Sequence, residues 1–125
     1  MGESVVIFGA GGIGLNIVQA SSLVNAHPII AIDQHDNRLE LASKMGATEI
    51  INSKKGNIVK KILNIVGSKG VDVFIDNTGI PEKINIGYNI TKPQGRVILV
   101  GVPAKDHETS FYTLPLHFFQ VHCVF

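Results

Sequence analysis

Ser4-Val5-Val6-Ile7-Phe8-Gly9-Ala10-Gly11-Gly12-Ile13-Gly14 is the stretch that decides the fold. Its first five residues are short, apolar and rich in β-branched side chains, which suits a strand buried on both faces. The glycines that follow meet three separate needs of a dinucleotide site. Gly9 permits the tight turn out of the strand, Gly11 keeps the backbone bare for a pyrophosphate, and Gly14 lets the following helix pack close to the strand. Gly11, Gly12 and Ile13 open that helix, so their N–H groups and the positive end of the helix dipole face an anion.

Glycine-rich turns are common, and a βαβ turn that binds nothing shares this pattern. The context narrows the reading. A second strand over residues 27–32 ends in Asp33, nineteen positions beyond Gly14, close to the ~20 expected of the acid that takes the ribose hydroxyls. The charge of Asp33 also opposes a 2′-phosphate. Two unit charges about 4 Å apart repel by ~1 kcal/mol in water and ~4 kcal/mol at an effective dielectric of 20. Gln34 rather than arginine follows the acid, so no adjacent residue welcomes that phosphate.

Outward from this core, strands and helices alternate. The first helix spans residues 12–24, with Ile13, Ile17, Ala20 and Val24 on one apolar stripe. Asp36 is the expected N-cap of a second helix that buries Leu39, Ala42 and Met45 and closes at Gly46. A third strand is expected over 48–52, and a third helix carries Ile58, Ile62 and Ile65 inward with Lys60 and Lys61 on its wet side. A fourth strand over 71–76 leads into Asn77-Thr78-Gly79, and Pro81 opens a fourth helix reaching about residue 91. Pro93-Gln94-Gly95 ends that helix, and a fifth strand covers 96–100. In the tail, 109–112 reads as extended, 114–119 as a turn of helix and 121–125 as a sixth strand. The pattern predicts one α/β domain over 1–125. It is a Rossmann-type doubly wound parallel sheet of about six strands in order 3-2-1-4-5-6, with helices on both faces.

Composition excludes several classes. The 125 residues are 45% hydrophobic and 17% charged, with a formal net charge of +1, which argues against a nucleic-acid partner held by phosphate neutralisation. No apolar run approaches the ~18 residues of a membrane span, and residues 1–3 run straight into strand, so neither a membrane partner nor a signal peptide is expected. The single cysteine, Cys123, rules out an internal disulfide framework and fits a cytoplasmic protein. His117, His122 and Cys123 lack the spacing of one helical face, and no metal site is expected from them.

Several motifs agree in order along the chain: Gly9 to Gly14, Asp33, Met45-Gly46-Ala47-Thr48, Asp76-Asn77-Thr78-Gly79, and Pro93 to Pro103. Together they resemble the coenzyme domain of the medium-chain, zinc-dependent alcohol dehydrogenases. The resemblance implies an NAD(H)-binding domain of an alcohol or polyol dehydrogenase-like oxidoreductase, with NAD as cofactor. It places Arg38 beside the adenosine ribose and Asn77 and Thr78 near the cofactor riboses. Val100, Gly101 and Val102 would flank the nicotinamide. It also implies a homodimer paired through the edge near residues 109–112.

In that family a catalytic domain supplies the zinc ligands and a proton relay. Those motifs are not in this sequence, so the chain is expected to be a coenzyme domain apart from its catalytic domain, with no catalytic residue of its own. Alone, it should bind NAD weakly and turn over nothing. Two other readings compete: a non-enzymatic module that senses NAD(H), and a methyltransferase of related sheet that takes S-adenosylmethionine.

Overall fold

Six strands pair in the order β3-β2-β1-β4-β5-β6, every pairing parallel. The computed structural model describes residues 2–110 and 122–124. The strands are β1 (Val5–Phe8), β2 (Ile29–Asp33), β3 (Glu49–Asn52), β4 (Val71–Asp76), β5 (Thr91–Leu99) and β6 (His122–Val124). The helices between them are α1 (Gly12–Leu23), α2 (Asp36–Lys44), α3 (Ile58–Val66) and α4 (Pro81–Ile90). The doubly wound sheet and its strand order are as the sequence predicts. Among the described residues no helix is long and apolar enough to cross a membrane.

Alternation along the strands divides the core in two. Val6, Phe8, Ile30, Ile32, Phe74 and Val97 face α3 and α4, meeting Ile62 and Tyr88. Val5, Ile7, Ile29, Ala31 and Val73 face the other way, onto Val18 of α1 and Leu39 and Ala42 of α2. β1 and β2 are buried along their whole length. Each such large aliphatic side chain contributes on the order of 1.5–3 kcal/mol, so the middle of the sheet is the rigid base from which the loops at its carboxyl edge project.

Four local expectations are corrected. The stripe of Ile13, Ile17, Ala20 and Val24 is not the buried face of α1. Gly14, Val18 and Ser21 are buried instead, and Ile13 and Val24 are 63% and 62% exposed. Gly14 stands where the helix lies closest to β1, a Cβ there falling 1.9 Å from the Gly9 carbonyl oxygen, while Val18 fills the core and Leu15 and Ile17 pack partly against it. Asp36 is the first residue of α2 rather than its cap; His35 precedes it, without a side-chain capping bond.

The turn at Pro93-Gln94-Gly95 is not outside the sheet. β5 already begins at Thr91, which pairs with Val71, and pairing resumes at Val73 with Arg96. Residues 92–95 bulge between the two, with Gln94 at φ 65, and the bulge hosts a proline that has no N–H to give the ladder. In the tail, Thr109 and Ser110 carry no strand; Asn85 Nδ2 donates to the Ser110 carbonyl at 2.8 Å. The remainder of the expected edge strand, Phe111 and Tyr112, and the expected helical turn over 114–119, with His117, lie outside the described residues.

The amino end of the sheet, opposite the carboxyl edge, is pinned by Asp72 at the start of β4. Its Oδ2 accepts from Ser4 N at 2.8 Å and Ser4 Oγ at 3.0 Å, while Asp72 N donates to Ser4 Oγ at 2.9 Å. Lys92 pairs with its other oxygen. Burial pushes this carboxyl up, but the bonds from Lys92 and Ser4 outweigh it and hold it below its ordinary value. A depressed folded pKa stabilises the fold above the unfolded value of about 3.9, and that stability is lost as pH falls through the folded value. Asp72→Asn is therefore expected to be less stable than the wild type at pH 7. The gap should close in acid below pH ~4, as urea melts at the two pH values would show.

Candidate functional site

The carboxyl ends of β1, β2, β4 and β5 surround one crevice of about 510 Å³, within the usual size for a small-molecule site. Its corner is built by close backbone approach. Gly9 leaves β1 at φ +104, and a Cβ on Gly14 would fall 1.9 Å from the Gly9 carbonyl oxygen. α1 starts there with Gly11 as N-cap, without a side-chain cap and without an acidic residue in its first turn. A Cβ on Gly11 or Gly12 would meet nothing within 4 Å. Bare backbone at these two positions therefore faces open space, whereas Gly14 serves packing.

Asp33 closes β2 at the rim and is 6% exposed. Its Oδ2 accepts from Ala10 N at 2.8 Å and its Oδ1 from His35 N at 2.9 Å. The carboxylate thus ties the glycine turn to the end of β2 while lining the crevice. Each carboxylate oxygen has a second lone pair for another donor. The Arg38 guanidinium, half exposed, stands 3.7 Å from Oδ2.

Across the crevice, Asp76 organises the loop after β4. It is fully buried and accepts from Thr78 Oγ1 at 2.6 Å, Thr78 N at 3.2 Å and Gly79 N at 2.8 Å. The Thr78 hydroxyl proton is thereby engaged within the loop. Asn77 Nδ2 donates to the Gly9 carbonyl at 3.1 Å, joining this loop to the glycine corner, and its Oδ1 is buried without a partner. A Cβ on Gly101 would lie 2.4 Å from Gly79 N, so the loops after β4 and β5 pack backbone on backbone. Val100 and Val102 present 40% and 89% of their surface on that rim.

Every residue singled out in the sequence lines this crevice: Gly9, Gly11, Gly12, Ile13 and Gly14 at the corner, Asp33 and Arg38 on one side, Asn77, Thr78, Val100, Gly101 and Val102 on the other. Phe8, Gln34, Ser53, Ile80 and Lys83 line it as well. The first three sit at or just beyond the carboxyl ends of β1, β2 and β3, a position that marks ligand sites in open α/β sheets and was available as a signal. Lys83 had no such signal, because it lies inside a helix. Among the described residues no group of three or more His, Cys, Asp or Glu could hold a metal ion.

The sequence pattern of the zinc-binding dehydrogenases matches residues 12–124. The chain belongs to this family. It is 39% identical over 101 residues to L-threonine 3-dehydrogenase of Pyrococcus horikoshii, covering 81% of this chain and 29% of that protein. Among solved structures it superposes on an alcohol dehydrogenase zinc-binding domain protein of Burkholderia ambifaria with a TM-score of 0.92. The two are 34% identical, over 99% of this chain and 33% of that one. A zinc-binding dehydrogenase of Sinorhizobium meliloti bound to NADP gives a TM-score of 0.91 at 29% identity, over 98% of this chain and 36% of that one. The chain thus spans about a third of the length of these relatives.

Proposed function

We propose that this chain is the NAD(H)-binding part of a zinc-dependent alcohol or polyol dehydrogenase-like oxidoreductase, holding the nicotinamide cofactor for hydride transfer. One observation carries the reading: the open floor at Gly11 and Gly12 and the buried carboxylate of Asp33 belong to the same crevice. The residues present fit a dinucleotide. Gly11, Gly12 and Ile13 offer N–H groups to the diphosphate, and Asp33 accepts from the adenosine ribose hydroxyls. Asn77, Val100 and Val102 border the nicotinamide side. When bound, the nicotinamide ring accepts or gives up a hydride. This chain binds and orients it, with Val100 and Val102 on the rim beside that end.

The zinc of this family has no ligand set among the described residues. The catalytic zinc and the proton relay are proposed to come from the remainder of a protein of the relatives' length, and the isolated chain is expected to turn over nothing. NAD is favoured over NADP because Asp33 opposes a 2′-phosphate and Gln34 offers it no charge, although the Sinorhizobium relative holds NADP.

Calorimetry on the 125-residue chain tests this. NADH is expected to bind and NADPH to bind about five- to several-hundred-fold more weakly, as the ~1–4 kcal/mol repulsion implies. S-adenosylmethionine is expected not to bind. Binding of S-adenosylmethionine instead, or of neither dinucleotide, would overturn the proposal.

A further inference from the structure

Lys83 stands where the fold gives it little reason to be. It is the third residue of α4, and a cation in the first turn of a helix works against the helix dipole. No ion pair engages it among the described residues. Its ammonium lies 5.2 Å from the centroid of the Phe8 ring and lines the crevice. A cation over an aromatic face is attracted by the ring quadrupole, so Phe8 holds Lys83 in place without neutralising its charge.

The position of this charge selects one end of a dinucleotide. Phe8 belongs to the face of the sheet that packs on α3 and α4, whereas Gly11 and Gly12 open α1 on the other face. The crevice that holds Asp33 is also lined by Gln34 and Ser53, which follow β2 and β3, and by Ile80 and Lys83 at the start of α4, so a slot framed by these residues adjoins Asp33. A base attached to the ribose at Asp33 has this slot to enter. Oxidised nicotinamide is a cation, which an ammonium repels. Adenine is neutral and presents ring nitrogens with free lone pairs, which an ammonium can only donate to.

Resting on the cofactor reading above, we propose that Lys83 is a specificity residue for the adenine end. It donates a hydrogen bond to a ring nitrogen of the base and so fixes which way round the dinucleotide lies. Lys83→Met keeps the length and apolar stem of the side chain and removes the donor and its charge. Calorimetry with ADP-ribose, AMP, NMN and ribose 5-phosphate reads the effect on the 125-residue chain, with thermal melting to check that the variant is folded.

Lys83→Met is expected to weaken ADP-ribose and AMP by about tenfold or more, the size of one hydrogen bond to a charged group. NMN and ribose 5-phosphate should be unchanged, and Lys83→Arg should recover most of the loss. Equal weakening of AMP and ribose 5-phosphate would place the charge on a phosphate and overturn the proposal, as would unaltered AMP binding in a folded variant. If the wild-type chain bound none of the four probes and no NADH, the cofactor reading itself would fall.

Discussion

Gly14→Ala is expected to unfold the corner, whereas Gly11→Ala is expected to leave the fold intact and remove NADH binding. The two glycines are three residues apart and differ in what surrounds them. An alanine methyl at Gly14 would lie 1.9 Å from the Gly9 carbonyl oxygen and 3.1 Å from Asn77 Nδ2. Backbone atoms cannot yield as a flexible side chain does, so α1 must lift off β1 and its contacts through Val18 and Ser21 loosen. Overpacking with a backbone shift costs about 1–3 kcal/mol. In a domain of this size that lowers Tm by roughly 4 °C per kcal/mol, and the Nδ2 bond to Gly9 is strained as well. A methyl at Gly11 has nothing within 4 Å, and the backbone there, at φ −76 and ψ −164, suits alanine. Its Tm should stay within a degree or two of the wild type on the same scale, while the methyl stands where the diphosphate must approach. Melting curves and NADH titrations of both variants separate the packing glycine from the binding glycine. A large fall in Tm for Gly11→Ala, or full NADH affinity in it, would contradict this division.

Asp33→Asn is expected to reduce both stability and the preference for NADH over NADPH, through two separable causes. The carboxylate receives two backbone N–H groups, from Ala10 and His35. An amide can accept from one and must point its NH2 at the other, so one donor loses its partner at a cost of about 1–3 kcal/mol. The effect on specificity is separate, because it comes from charge. Removing the anion abolishes a repulsion of ~1–4 kcal/mol toward a 2′-phosphate. It also frees Arg38, now 3.7 Å from Asp33, to meet that phosphate. The ratio of NADH to NADPH affinity should fall about five- to several-hundred-fold, and this ratio is insensitive to a general loss of folded protein. An unchanged ratio would show that Asp33 only braces the turn.

The legible parts of the fold were those in which one physical need dominates. Val5 to Phe8 read as a buried strand because four apolar residues, three of them β-branched, run straight into a glycine turn. The glycine corner and Asp33 followed from the requirements of a close backbone turn and a strand-end acid. The face of α1 was not legible, because hydropathy rewards Ile13 and Val24 and ignores Gly14 and Ser21. Close approach of helix to strand at Gly14 demands a small residue whatever its polarity, and that turns the helix so that Val18 faces inward and Ile13 and Val24 outward. The bulge at residues 92–95 was hidden for a related reason. Proline and glycine announce a break in regular structure but do not say whether pairing resumes on the same strand. Within the site, residues following strands could be read from their position. Lys83 could not, since its place in the crevice depends on how α4 lies against Phe8.

The central claim is a location: diphosphate on the bare backbone at Gly11 and Gly12, ribose on Asp33. Titrating NADH into the 15N-labelled chain and following backbone amide resonances tests it residue by residue. The largest shifts are expected at Gly11, Gly12 and Ile13, with Ala10 and His35 moving as Asp33 gains ligand hydrogen bonds. Shifts confined to the amino end of the sheet, around Asp72 and Lys92, with the glycine corner silent would contradict it.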